Sequence, residues 1–299
     1  MSRSTTFALI IHGSRADLPS LRHLVKWVRA KGITVLPYIT WEKGDGTRLA
    51  AEAVERGVDA VIAAGGDGTV NEVLNGLSGD TPLGIIPVGT ANDFAKQVGI
   101  PSDPDHAMDV ILQRKPMRID TAEINGRRFL NVSTGGIGAE ATAETPAEAK
   151  DALGPLAYAI TLTRKLAGLN PQTARFTGDD FTLDTRFVAF AVGNARATGG
   201  GTLITPRAEV RDGLMDLCVV EGMPRSEFAM LAMKIKRGEH LASEGVHYHQ
   251  TASLLVESKR SITVNVDGES MGLKRLEYKS RPGDLKIFLP HLPGESDVE

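Results

Sequence analysis

The chain of 299 residues contains one cysteine, so it can form no intrachain disulfide. That residue, Cys218, lies in the apolar run Leu217-Cys218-Val219-Val220, where a small buried hydrophobe is expected rather than a nucleophile. Long apolar runs are missing as well. Phe7–Ile11, five residues, is shorter than the core of about 7–15 that a signal peptide needs. No stretch approaches the span of about 18 that crosses a membrane. The expected location is therefore cytoplasmic, with any membrane contact peripheral and at the inner face. An excess of one charge is also absent, since Lys+Arg 34 against Asp+Glu 37 leaves a net −3. With no dense basic block, nucleic acid is not an expected partner. There is no internal repeat and no low-complexity segment. The 41% hydrophobic and 24% charged fractions exclude a disordered chain, which could not bury enough apolar surface to fold.

Glycine is plentiful, 32 residues, and unevenly placed. The first third alternates strand and helix. Phe7–Ile11, Ile33–Ile39, Val58–Ala64 and Leu83–Val88 read as strands, with Pro37 marking an edge or irregularity. Helices fall at Leu18–Val28, Thr47–Arg56 and Val70–Leu77, and Gly32 and Gly57 act as stops. Strands linked by helices imply right-handed crossovers and a parallel sheet. From about Asp120 the pattern changes. Ile119–Ile124 and Arg128–Val132 flank the hairpin signal Asn125-Gly126. A helical stretch at about Pro146–Leu169 follows, then strands at Phe187–Val192, Leu214–Val220, Ser253–Glu257, Ser261–Val266, Arg275–Lys279 and Leu285–Leu289. The expectation is two domains. One, residues 1–117, is a doubly wound, mainly parallel α/β domain; the other, 118–299, is a β-rich sandwich, with the boundary near Met117–Arg118.

Chemistry concentrates in two loops. Val61-Ile62-Ala63-Ala64 runs into Gly65-Gly66-Asp67-Gly68-Thr69, and a helix opens at once. A glycine-rich strand-to-helix turn lets main-chain N–H groups approach phosphate oxygens, and the helix N-terminus favours an anion. Asp67 is unusual there, because a carboxylate repels phosphate unless a metal or a substrate hydroxyl uses it. The second loop, Gly89-Thr90-Ala91-Asn92-Asp93-Phe94, repeats the strand-glycine-helix pattern, with Thr90 and Asp93 at capping-box spacing. Two such loops after consecutive strands would lie side by side and make one nucleotide crevice, with Thr40 facing it. Elsewhere, His247-x-His249 falls on one face of a strand, where surface histidines are favoured over a metal pair. Phe228, Met230, Leu231, Met233 and Ile235, beside Lys234, Lys236 and Arg237, make a helix apolar almost all round with a basic end. Core packing is the favoured reading, contact with a membrane or acyl chains the alternative.

These motifs are recognisable together. Gly65-Gly66-Asp67-Gly68-Thr69 with Asn71-Glu72, then Pro87-Val88-Gly89-Thr90-Ala91-Asn92-Asp93-Phe94-Ala95, resemble the diacylglycerol-kinase-type catalytic domain, and the whole chain is most similar to the bacterial YegS-type lipid kinases. The likeness extends through Thr40–Asp45, Thr134-Gly135-Gly136, Gly199-Gly200-Gly201, Pro206–Leu214 and Asn265–Glu269. It departs at His12-Gly13-Ser14-Arg15, where many relatives carry Asn-Pro, and at Ala91, where many carry glycine. The resemblance implies an NAD-kinase/diacylglycerol-kinase-like fold and ATP-dependent phosphorylation of a membrane lipid hydroxyl, on diacylglycerol or a phosphatidylglycerol-like lipid. It places ATP on Thr40, on Gly66, Asp67, Gly68, Thr69, Val70, Asn71 and Glu72, and on Thr90, with MgATP between the domains. It makes Glu269 the general base, with Asp67 the rival. It assigns a Mg²⁺ site, open also to Ca²⁺, to the Asp212 carboxylate and the main-chain carbonyls of Glu209 and Leu214. Two other readings compete: an NAD-kinase-like enzyme for a soluble hydroxyl, and a non-catalytic nucleotide- or lipid-binding regulator.

Overall fold

The structure is a computed structural model and describes residues 4–136, 171–266 and 269–290. The expected helix at Pro146–Leu169 lies outside the described residues, as do Asp267 and Gly268. The chain forms two compact units. One comprises the residues up to Asp120 together with those from Gly283 onward, and the other is Thr121–Pro282.

In the first unit β1 (Thr6–His12), β2 (Thr34–Thr40), β3 (Ala60–Gly65) and β4 (Leu83–Pro87) pair in parallel in the order β4-β3-β1-β2. Every residue of β3 and β4 is buried, which is what helices on both faces of a sheet impose. β2 is the outer strand, the place Pro37 indicates. Helix α1 (Pro19–Ala30) starts with proline in its first turn and buries Leu21, Leu24 and Val28. Three further helices follow strands: α2 (Asp45–Glu55), α3 (Asp67–Gly76) and the short α4 (Asp93–Gln97). α5 (Pro104–Gln113) is capped by Asp103, whose carboxylate accepts the Asp105 and His106 N–H groups at 3.0 Å each.

The second unit is antiparallel. It contains the later part of β5 (Met117–Ile124), then β6 (Arg127–Phe129), β7 (Val132–Gly136), β8 (Gln172–Gly178), β9 (Thr182–Gly193), β10 (Met215–Glu221), β11 (Val246–Thr251), β12 (Ser253–Val266) and most of β13 (Glu269–Ile287). Long strands β9 and β12 each pair with β8 along one part and with β7 along another. The array therefore closes around one core, helped by an irregularity in β12 between Glu257 and Ile262. Phe176, Phe187 and Phe190 meet edge-to-face in that core, with centroids 5.4–5.6 Å apart. Cys218 is buried, and burial pushes its thiol up to about 12, so it is inert as a nucleophile. The one described helix here, α6 (Arg225–Arg237), packs Phe228, Leu231 and Ile235 against Ala189 and Val220.

Three differences from the sequence reading have physical causes. The last segment belongs to the first unit, because Ile287 pairs in parallel with Leu83, the Phe288 N–H bonds the Leu83 carbonyl at 3.0 Å, and Lys286 pairs with Asp80 at 2.9 Å. The strands expected at Ser253–Glu257 and Ser261–Val266 are one strand, interrupted only by the exposed Lys259-Arg260 irregularity. β13 likewise runs unbroken across residues the sequence divided. Among the described residues, no helix is long and apolar enough to cross a membrane.

Candidate functional site

The two glycine loops leave β3 and β4 side by side. Gly65 lies opposite Pro87, and the Val88 N–H donates to the Gly65 carbonyl at 3.1 Å. Gly66, the N-cap of α3, carries no side chain to satisfy the helix terminus, which leaves that positive end for an anion. The loops touch main chain to main chain. A Cβ on Gly89 would overlap the Gly66 Cα and come 2.9 Å from its nitrogen, and one on Gly66 would come 3.3 Å from the Gly89 Cα. The approach requires glycine at position 89 and leaves a side chain at position 66 only a tight fit.

Asp67 fastens the second loop to the first. Its Oδ2 accepts the Asp93 N–H and its Oδ1 the Phe94 N–H, each at 3.1 Å. These are the first amides of α4, so a carboxylate from the neighbouring loop caps that five-residue helix. The expected capping box of Thr90 and Asp93 is thereby corrected: the N-cap is Asn92, no local side chain caps the helix, and Thr90 is exposed. Asn92 holds a left-handed conformation at φ 50 and closes the loop on itself. Its Oδ1 accepts the Gly89 N–H at 3.1 Å and its Nδ2 donates to the Gly89 carbonyl at 2.9 Å.

Glu72, one turn further along α3, turns its carboxylate to the start of α2. It accepts the Gly44 N–H at 3.1 Å and the Gly46 N–H at 2.9 Å, while the Thr47 hydroxyl donates to the Glu72 carbonyl at 2.9 Å. The loop after β2 is thus attached to the helix that the first glycine loop opens. Within that loop Asp45 accepts the Trp41 N–H at 2.8 Å, the Glu42 N–H at 3.1 Å and the Arg48 guanidinium at 2.6 Å. These bonds, that from Trp41 foremost, hold its carboxyl down at about 2. Thr40 is buried at the end of β2, and its hydroxyl accepts the Gly13 N–H at 3.3 Å.

The structure therefore places Thr40, the run from Gly66 to Glu72 and Thr90 at the C-terminal ends of β2, β3 and β4, with β1 between the first two of these strands, the end of an α/β sheet where ligands bind. Their side chains are not alike. Thr69, Val70 and Asn71 are buried, Gly68 and Thr90 are exposed, and the Asp67 and Glu72 carboxylates already accept main-chain N–H groups. Three residues that organise the loops, Asp45, Asn92 and Gly89, lie within the motifs, yet the motifs assign them no role. Their only sequence signal was an Asx or glycine at a strand-to-helix turn.

In the second unit, Glu209 and Asp212 are exposed in the loop before β10. Asp212 Oδ1 accepts the Leu214 N–H at 2.9 Å around Gly213 at φ +78. Nearby Asp216 is buried and accepts the Tyr248 hydroxyl at 2.6 Å. Burial first, and then the charges of Asp212 and Glu209, raise its carboxyl to about 6. A carboxylate and main-chain carbonyls are hard oxygens of the kind Mg²⁺ or Ca²⁺ accepts alongside water, and the charges of Asp212 and Glu209 beside Asp216 are ones a cation would offset. Among the described residues no group of three or more His, Cys, Asp or Glu could hold a metal ion. The His247-x-His249 pair is otherwise engaged: His247 Nε2 lies 2.9 Å from Glu221 Oε1, and His249 stacks on Phe181 with centroids 4.1 Å apart. Glu269 opens β13 opposite Val266.

Comparison with known proteins extends these observations over the whole chain. Residues 7–124 match the diacylglycerol kinase catalytic domain, and residues 132–289 match the YegS C-terminal NAD kinase beta sandwich-like domain. A protein of Stenotrophomonas maltophilia named "Probable lipid kinase YegS-like" is 37% identical over 294 residues, covering 94% of this chain and 95% of the relative. A protein of the same name from Pseudomonas aeruginosa is 36% identical over 285 residues, 94% and 93% of the two chains. The crystal structure of a diacylglycerol kinase from Bacillus anthracis superposes with a TM-score of 0.77 at 25% identity, covering 97% of this chain and 98% of that one. An NAD kinase from Archaeoglobus fulgidus, solved with ATP, shares the fold alone: TM-score 0.55 at 12% identity, covering 94% and 93%.

Proposed function

The chain belongs to the YegS-like lipid kinases, a diacylglycerol-kinase catalytic domain joined to a YegS-type C-terminal domain, and from that premise we propose that it transfers the γ-phosphate of MgATP to a hydroxyl of a membrane lipid, diacylglycerol or a phosphatidylglycerol-like lipid. The observation that supports this best is the pair of glycine loops in contact, braced by Asp67 across to α4. Phosphoryl transfer asks a protein chiefly for positioning and charge stabilisation, and two rigid loops at helix N-termini supply both.

In this reading the first unit binds nucleotide, and the second binds the lipid and a metal. Thr40, Gly66, Gly68, Thr69, Val70, Asn71 and Thr90 contact ATP, with Val70 limited to its main chain because its buried side chain is apolar and offers no polar atom. Asp67 and Glu72 act in the nucleotide site by holding its loops together. Glu269 takes the proton of the lipid hydroxyl as that oxygen bonds to the γ-phosphorus. The bond from phosphorus to the bridging oxygen then breaks, and ADP leaves with its electron pair. Asp212, by its carboxylate, and Glu209 and Leu214, by their carbonyls, would hold Mg²⁺ or Ca²⁺, which offsets the local negative charge. The test offers ATP with diacylglycerol or phosphatidylglycerol in detergent, and separately with NAD in buffer. Phosphorylated lipid in the organic phase is expected; label on NAD alone, or bound ATP with no transfer, would overturn the reading.

A further inference from the structure

Helix α6 presents two faces, and only one is used by the core. Phe228, Leu231 and Ile235 are buried against β9 and β10 residues. The opposite face carries Met230, Met233, Lys234 and Arg237, spaced i, i+3, i+4 and i+7, so that they form one stripe along the helix. Met230 is 62% and Met233 57% exposed, and they are two of the four large apolar side chains exposed among the described residues, with Ile39 and Trp41. Lys234, Lys236 and Arg237 stand exposed in the last turn, and Lys234 donates to the Ser243 hydroxyl at 3.4 Å. Basic residues in a last turn complement the helix dipole, but that does not account for two methionines held in water beside them.

We propose that the outward face of α6 docks the protein on an anionic lipid bilayer, the cations meeting headgroups and the two methionines entering the interfacial layer. Charge selects this occupant. On a chain of net charge −3, a local basic and apolar stripe is matched by a negative, amphipathic surface and not by a second copy of the same stripe. The inference rests on the lipid-kinase reading in one respect, that the lipid is reached at a bilayer.

The experiment sediments the full chain with phosphatidylcholine vesicles, with and without phosphatidylglycerol. Binding is expected only with the anionic lipid and should weaken with salt. Neutralising Lys234, Lys236 and Arg237 to glutamine should weaken it about fivefold per residue, roughly a hundredfold together. Met230→Ser with Met233→Ser should weaken it about tenfold. A control, Lys259→Gln with Arg260→Gln on the exposed irregularity of β12, should bind as the parent does. All variants should keep the parent's circular dichroism and its phosphate transfer to lipid dispersed in detergent. Undiminished vesicle binding by the α6 variants, binding indifferent to phosphatidylglycerol, or a dimer that dissociates in those variants would each overturn the proposal. If no chain phosphorylates dispersed lipid while vesicle binding still follows α6, docking stands and the lipid-kinase reading falls.

Discussion

Replacing Asp67 by asparagine separates the two roles open to its carboxylate, clamp and general base. Each oxygen accepts one main-chain N–H at 3.1 Å, from Asp93 and Phe94. An amide offers one acceptor and one donor group, so one of those N–H groups must face another donor. A half-buried N–H left unsatisfied costs about 1–3 kcal/mol. Removing the negative charge from the N-terminus of α4 adds about 0.3–1 kcal/mol. The sum, about 1–4 kcal/mol, should lower the melting temperature of the nucleotide-binding unit by roughly 4–16 °C, measured by thermal unfolding without nucleotide. Below that temperature the variant should still turn over, with the loss falling mainly on KM for ATP. An unchanged melting temperature together with abolished transfer would refute the clamp and make Asp67 the group that acts on substrate.

Gly89→Ala should weaken ATP binding at least tenfold in an equilibrium titration, because its methyl group overlaps the Gly66 main chain; the strain should also lower stability by about 1–3 kcal/mol. Asp45 is held at about 2 in the folded chain against 3.8 ordinarily, so its contribution is complete above about pH 4 and is lost as the pH falls towards 2. Asp45→Asn should therefore melt lower than the parent at neutral pH, and the gap should close through that acid window. Mg²⁺ should raise the melting temperature of the parent but not of Asp212→Ala; an equal rise in both would remove that site.

What was legible in the sequence is local. Continuous apolar runs gave β1, β3 and β4, and glycine after each of the last two located the paired loops. What was hidden depends on partners distant in the chain. Asp67 meets Asp93 and Phe94 across 26 and 27 positions, and Glu72 meets Gly44 and Gly46 across 28 and 26. No spacing rule reports that a carboxylate will be used by another loop's main chain. The nucleotide motif was thus readable as a set of residues, but not the division between those facing a ligand and those bracing the loops. Strand lengths failed for a related reason: β12 continues past the charged Lys259-Arg260 irregularity and β13 past serine, proline and glycine, residues that read as breaks when only the local sequence is considered. The return of Leu285–Ile287 to the first unit, beside β4, is likewise a tertiary choice.

The most direct test is transfer of label from γ-labelled ATP, with Mg²⁺, to total bacterial lipid extract, with Glu269→Gln run alongside and the products divided between organic and aqueous phases. The account predicts label in the organic phase for the parent and none for the variant, with ATP affinity equal in both. Organic label undiminished in Glu269→Gln would contradict the assignment of the base, and no organic label from a parent that binds ATP would contradict the lipid kinase itself.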